Sequence, residues 1–288
     1  MATPARPDEA YRIATMQAAT NLISNLGAFV NQYVASLGAA VRFGAAAAGF
    51  GVRGLFNKRI YPRHDLIVQM DYTGARSTPI MVLLGFLVGA SLVIQTTPSL
   101  ARYGPAELVA GVVGVSILRT LGPLLAAIIF AGRVGAGFTA ELGTMAVSEE
   151  VLALDTMGIH PVGYLVAPRF SAAILMLPAC TVLFDMSALL GGYLVGVYQF
   201  NIPHESYMDI TKQFVSLSNF TFGLAKSVVF AVIITLVCCF KGFNVKGSGM
   251  EVGRATMQAI VISLILIIFS DFVMSMVYNF LSKVGVVE

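Results

Sequence analysis

Apolar residues run almost without interruption through five stretches, at about Pro79–Thr97, Ala106–Ala131, Phe170–Val197, Phe220–Phe240 and Ala255–Phe280. Each reaches the ~20 residues an α-helix needs to cross a hydrocarbon core about 30 Å thick. Runs so long and continuous predict helices, because barrel strands would alternate over roughly ten residues. The third, at about 28 residues, exceeds the hydrocarbon thickness and is expected to tilt or bend, with Pro178 and the Gly191–Gly192 pair as bending points. A different pattern precedes the five. From Asn21 to Arg42 a polar stripe (Asn21, Ser24, Asn25, Asn31, Gln32, Ser36, Arg42) runs beside Leu22, Leu26, Phe29, Val30, Tyr33, Leu37 and Val41, which is amphipathic helical periodicity. Arg53, Lys58, Arg59 and Arg63 follow, so this segment is expected to lie in the cytoplasmic interface; a weakly apolar spanning helix is the alternative. No internal repeat is visible, and five spans do not divide into two inverted halves, which counts against the commonest secondary-transporter plan.

Composition sharpens this picture. Of 288 residues 57% are hydrophobic and only 11% charged, with a mean hydropathy of +0.82. Soluble domains carry about 25% charged residues, so a soluble globular protein is excluded. Twenty-eight glycines fit helices packed closely in lipid. The net charge of +3 is too small and dispersed for a nucleic-acid footprint. Cys238 and Cys239 are adjacent and Cys180 stands alone, so no disulfide framework is expected. His64, His160 and His204 lack ligand spacing, so no metal site is expected. Met1–Gln17 has no apolar core of a signal peptide, so the amino terminus is expected to stay in the cytoplasm. With that orientation thirteen of the 18 Lys and Arg fall inside, three fall outside (Arg102, Lys212, Lys283) and two lie within spans (Arg119, Lys226). That asymmetry obeys the positive-inside rule and puts the carboxyl terminus outside.

The connection between the second and third spans breaks the basic pattern. It is cytoplasmic by this count, yet over about 132–162 it holds Glu141, Glu149, Glu150 and Asp155 against Arg133 alone. Ser148 is a candidate cap for a short helix, Glu149 and Glu150 suit its first turn, and Gly158 with Pro161 stops it. Val147, Val151 and Leu154 share one side. A short amphipathic helix there is what a transporter needs to receive a push from a cytoplasmic motor; an ordinary solvated connector is the plainer reading. Within the same region Gly135, Gly137 and Ala140 spell GxGxxA, with Asp155 further on, as in a dinucleotide-binding βαβ unit. The preceding apolar run is far too long for a buried strand, which argues against nicotinamide binding. There is no GxxxxGK[ST], so this chain does not itself cradle ATP phosphates.

Four ionisable residues fall within spans: Arg119, Asp185, Lys226 and Asp271. Each costs roughly 2.5 to 3.5 kcal/mol or more at mid-helix, so they are expected to face the bundle interior or a wet cavity, with partners. At ~1.5 Å per residue Lys226 lies about 9 Å below the outer boundary and Asp271 about 24 Å above the inner one, nearly the same level. The favoured pair is therefore Lys226 with Asp271, leaving Asp185 or a second copy to serve Arg119. A lipid cavity opening outward and an interhelical brace both fit such charges.

At these residues the chain becomes recognisable. LGPLLAAIIFAGRVGAGFTAELGTMAVSEEVLALDTMGIHPVGYLVAPR (Leu121–Arg169), KSVVFA (Lys226–Ala231), FKGF (Phe240–Phe243), VGRAT (Val252–Thr256) and SDFV (Ser270–Val273) closely resemble the MlaE permease family, the membrane subunits of ABC transporters that work with MCE proteins in lipid transport. The resemblance covers roughly Leu84–Val273. It implies an all-α integral membrane protein: residues 1–75 as a cytoplasmic segment with an amphipathic interfacial helix, and residues 76–288 as a five-helix permease domain with a coupling loop at about 132–162. The short acidic helix becomes the coupling helix, with Glu141, Glu149, Glu150, Asp155, Met157 and Gly158 as the ATPase contact. Gly132, Arg133, Gly135 and Gly137 match the turn leading into it, where glycine permits a close or left-handed backbone. Arg119, Lys226 and Asp271 match family positions, with Asp185 a further cavity candidate. Where the family pattern often has an acidic residue after the arginine, this chain has Thr120. The implied assembly is a bacterial inner-membrane homodimer with two ATPase subunits, which carry ATP and magnesium, and a periplasmic MCE protein; lipids, phospholipids in the family's pattern, are the cargo. No catalytic residue and no cofactor are expected in this chain. The rivals are a proton-coupled transporter using the buried Asp and Lys, and a membrane-bound nicotinamide-dependent oxidoreductase.

Overall fold

Lipid offers no hydrogen bonds, so each apolar stretch satisfies its backbone internally as a helix. The computed structural model describes Gly38 and residues 42–47, 49–50, 63–102 and 104–283, and among these there is no strand. Met1–Ala45 and Ala46–Glu288 form two compact units, and the membrane-length helices lie in the second. The expected interfacial helix over Asn21–Arg42 lies outside the described residues, apart from Gly38 and Arg42.

Among the described residues five helices are long and apolar enough to cross a membrane: His64–Leu100, Ala106–Val147, Val162–Tyr198, Leu217–Phe243 and Gly249–Phe280. Every predicted run lies inside one of them. The helices overrun the runs because polar flanks continue the same backbone ladder beyond the hydrocarbon level. Residues 63–75, read from sequence as part of the amino-terminal segment, are helical and continuous with the first span.

Among the described residues four π-helical turns interrupt the ladders, at Asp71–Ala75, Ile117–Leu121, Ala131–Gly135 and Val162–Val166. Two have an evident cause: Pro123 and Pro168 sit two residues past such a turn, and proline has no N–H to close the regular bond behind it. Pro178 and the Gly191–Gly192 pair, by contrast, do not interrupt the third span, which is one α-helix from Ala167 to Tyr198. These glycines serve close approach instead. Gly85 and Gly89 of the first span lie against the backbone of Phe184 and Ala188, and Gly191 lies against the backbone of Phe86. A side chain at any of them would push the two helices apart, so the first and third spans form a small-residue seam.

The third span also contacts the second and fourth, and the fifth packs on the fourth and on the later half of the second. Only 11% of the fifth span's most apolar stretch is buried, against 28% to 50% in the others. At the end opposite the acidic helix, helix His204–Phe214 lies over the bundle, with Tyr207 seated on Gly196 and Phe214 on Gly111. Burial pushes the Tyr207 phenol up to about 12, so it stays neutral and packs as an aromatic wedge.

Candidate functional site

Helical spacing builds one polar seam inside the apolar bundle. Ser218, Phe222 and Lys226 recur every four residues on the fourth span, while Asp271, Ser275, Tyr278 and Asn279 share a face of the fifth. Lys226 is completely buried; its Nζ donates to Asp271 Oδ1 at 2.7 Å and to Ser275 Oγ at 2.9 Å, and lies 5.0 Å from the Phe222 ring. Two donors are bonded and the remaining charge faces a π cloud, which is how an ammonium survives away from water. Toward the end of the spans the Phe222 and Tyr278 rings stand 4.3 Å apart. Arg119, in the π turn of the second span, places its guanidinium 4.3 Å over Tyr278 and donates from Nη2 to Asn279 Oδ1 at 2.7 Å. Arg119 is half-buried, and among the described residues Asn279 is its one side-chain acceptor. Most of its N–H donors therefore remain for an outside acceptor such as a phosphate.

The pairing of Lys226 with Asp271 follows the depth arithmetic. Arg119 departs from expectation, because its acceptor is the Asn279 amide and not Asp185. Asp185 is buried against Gly122 of the second span, and its Oδ1 has no hydrogen-bond partner. Among the described residues no hydrogen bond or ion pair joins it to the seam.

At the other end the short helix forms over Glu150–Thr156, with Gly158 left-handed (φ 77°) as its stop. Its start differs from expectation. Glu149 takes the N-cap position in a left-handed conformation (φ 61°), and Ser148 Oγ donates to the Glu150 carboxylate at 3.0 Å instead of capping. Val151 and Leu154 are half-buried, whereas Glu149, Glu150, Leu152, Asp155 and Met157 are exposed, so acids and apolar side chains share one free surface.

Two expectations about the preceding segment are corrected. Gly132, Arg133, Gly135 and Gly137 do not form a turn: Ala131–Gly135 is a π-helical turn with right-handed backbone, and the helix continues to Val147. Gly135 and Gly137 serve packing, against Cys238 and the Tyr72 hydroxyl, while Gly132 and Arg133 are exposed. The GxGxxA spacing thus lies within a helix and has no strand before it. Glu141, read as part of the docking loop, lies on this helix too, where its Oε2 accepts from Arg169 Nη2 at 3.0 Å. Arg169 also donates to the Leu165 carbonyl at 2.6 Å and faces the Phe138 ring. This second ion pair was missed by sequence reasoning. The available signal was helical periodicity continuing past Gly135, which puts Glu141 inside a span instead of in a loop.

Comparison with known proteins agrees with this architecture. The family described as Permease MlaE matches residues 66–277. A probable ABC transporter permease protein of Rickettsia typhi is 39% identical over 207 residues, 72% of this chain and 80% of the relative. The intermembrane phospholipid transport system permease protein MlaE of Haemophilus influenzae is 31% identical over 259 residues, 88% of this chain and 96% of its own length. A chloroplastic protein of Arabidopsis thaliana, TRIGALACTOSYLDIACYLGLYCEROL 1, is 32% identical over 228 residues, 79% of this chain and 65% of that protein. With five membrane-crossing helices, a family match over most of its length and relatives that are permeases, this multi-pass membrane protein belongs to the MlaE permease family and is a permease subunit of an ABC transporter.

Proposed function

We propose that the chain moves phospholipids between the bacterial inner membrane and a periplasmic MCE protein, as one of two identical permease copies driven by two ATPase subunits. The observation that carries this reading is the polar seam: a fixed ammonium–carboxylate pair leading to a half-exposed arginine, set in walls that are otherwise apolar. Such a path can meet a headgroup phosphate through Arg119 while acyl chains stay among hydrocarbon. The Haemophilus influenzae relative's name, which specifies phospholipid, supports the cargo. The sparse covering of the later half of the fifth span, where Phe269, Phe272, Met276 and Phe280 are exposed, supports a second copy packed against it. The exposed surface of Glu149, Glu150, Leu152, Asp155, Met157 and Gly158 suits an ATPase groove at the cytoplasmic end; ATP and magnesium belong to that partner, which holds the catalytic groups. The amino terminus is then cytoplasmic and the carboxyl terminus periplasmic. Glu141, tied to Arg169, braces this region from within.

The test replaces Lys226 by Ala and measures lipid transfer, lipid-stimulated ATP hydrolysis and assembly separately in reconstituted vesicles. The expected outcome is an assembled complex with transfer greatly reduced. Normal transfer by a correctly assembled variant would remove the seam from the lipid path.

A further inference from the structure

Two of the family-like segments, FKGF and VGRAT, have no part in the polar seam. They meet where the fourth span ends and the fifth begins, on either side of the connection Asn244–Ser248. Between them lies a cleft of about 340 Å³, lined by Lys241, Lys246, Arg254 and Glu251 with Phe240 and Ala255 among its apolar walls. Three cations there meet one carboxylate. Glu251 is already held by Arg254 at 2.7 Å, Lys241 donates to Gln258 Oε1 at 3.3 Å, and Lys246 is exposed with no ion pair among the described residues. The cleft therefore keeps a net positive charge, with donor capacity left on all three cations.

The surface beside it says which anion fits. Met250, Arg254, Met257, Val261 and Ile265 follow one another on a single exposed face of the fifth span. From Arg254 to Ile265 the helix rises about 16 Å, close to half of a ~30 Å hydrocarbon core and so to the depth of one leaflet. A free phosphate would use the cleft and leave this strip unused. A phospholipid would use both, since basic pockets between spans at the membrane surface suit acidic headgroups.

We propose that this cleft binds the phosphate of an anionic phospholipid of the surrounding membrane, with an acyl chain along Met257, Val261 and Ile265. The bound lipid pins together the ends of the two helices that carry Lys226 and Asp271. It occupies a site separate from the seam, and the inference does not rest on the transport reading.

Native mass spectrometry of the full chain, with phosphatidylglycerol, phosphatidylcholine or inorganic phosphate added to the micelles, tests it. One phosphatidylglycerol is expected to be retained in preference to phosphatidylcholine, and K246Q/R254Q is expected to weaken its binding by about tenfold or more. Both side chains are exposed, so the fold should persist, and the charge-preserving K246R/R254K variant should retain the lipid. Lys226→Ala should also retain it, which separates this site from the transported cargo. Equal retention of both lipids, or unchanged binding by K246Q/R254Q, would overturn the proposal. Occupancy by inorganic phosphate with no lipid would assign a free anion instead, and displacement of the lipid on adding the partner ATPase would assign a protein contact; either result also overturns it.

Discussion

Among the described residues two interhelical ion pairs hold this bundle, and they differ in surroundings more than in chemistry. Lys226 and Asp271 join the fourth and fifth spans with a wholly buried ammonium, and their neighbours form a polar line out to half-exposed Arg119. Arg169 and Glu141 join the third and second spans, but Arg169 closes on a backbone carbonyl and a Phe138 face, and only the Glu141 carboxylate reaches outward. A paired charge that continues into a polar line can pass work to a ligand. A paired charge that ends on its own backbone can only hold helices in register. Asp185 sharpens the contrast, because it is as buried as either cation, lacks a partner for Oδ1, and continues into nothing.

The largest expected effect comes from cutting the first pair on one side. Asp271→Ala leaves a fully buried ammonium with one hydroxyl acceptor, and stranding a buried charge costs about 3–5 kcal/mol. We expect a large drop in the unfolding midpoint in micelles, followed by scanning fluorimetry. Replacing both partners, Lys226→Met with Asp271→Leu, removes the stranded charge and should restore the midpoint to near that of the parent, since apolar replacements of buried pairs are often neutral. Lipid transfer should stay lost in the double variant. A double variant that transfers lipid normally would make this pair a brace like the other.

Cutting the second pair should cost less. Arg169→Met leaves Glu141 unpaired, but that carboxylate is 40% exposed and can turn to water, so about 1–2 kcal/mol is expected. Transfer per folded complex should remain close to that of the parent, because nothing in this pair leads toward the seam. A transfer rate that collapses while the midpoint holds would break the distinction between the two pairs.

The first pair was legible in the sequence and the second was not, for a physical reason. Lys226 and Asp271 sit deep in unambiguous apolar runs, where counting residues fixes depth and lipid forbids a lone charge. Glu141 and Arg169 sit at the ragged ends of spans, where a helix and a polar loop have the same composition. The same ambiguity turned Gly132–Gly137 into a turn on paper, although the backbone continues there as a π-helical turn into a further stretch of helix. Span number, order and acidic helix all came from periodicity. The Arg119 contact with Asn279, the left-handed Glu149 and the seating of Gly122 on Asp185 depend on rotations of helices about their axes, which composition does not encode.

The smallest expected effect tests where the seam meets its ligand. Arg119→Lys keeps the charge but loses the flat guanidinium stacked 4.3 Å over Tyr278 and most of the donors beyond the one that Asn279 accepts. At a half-exposed site the lost stacking is worth about 0.5–1 kcal/mol, so the unfolding midpoint should hardly move. If Arg119 acts only as a packing group, transfer should fall no further than stability does. If it grips a phosphate with a planar fork, transfer should fall several-fold at unchanged stability, and the fall should be larger at low lipid density than at saturation. That split between lipid-limited and saturated rates is the measurement that separates a headgroup contact from a brace at the end of the seam.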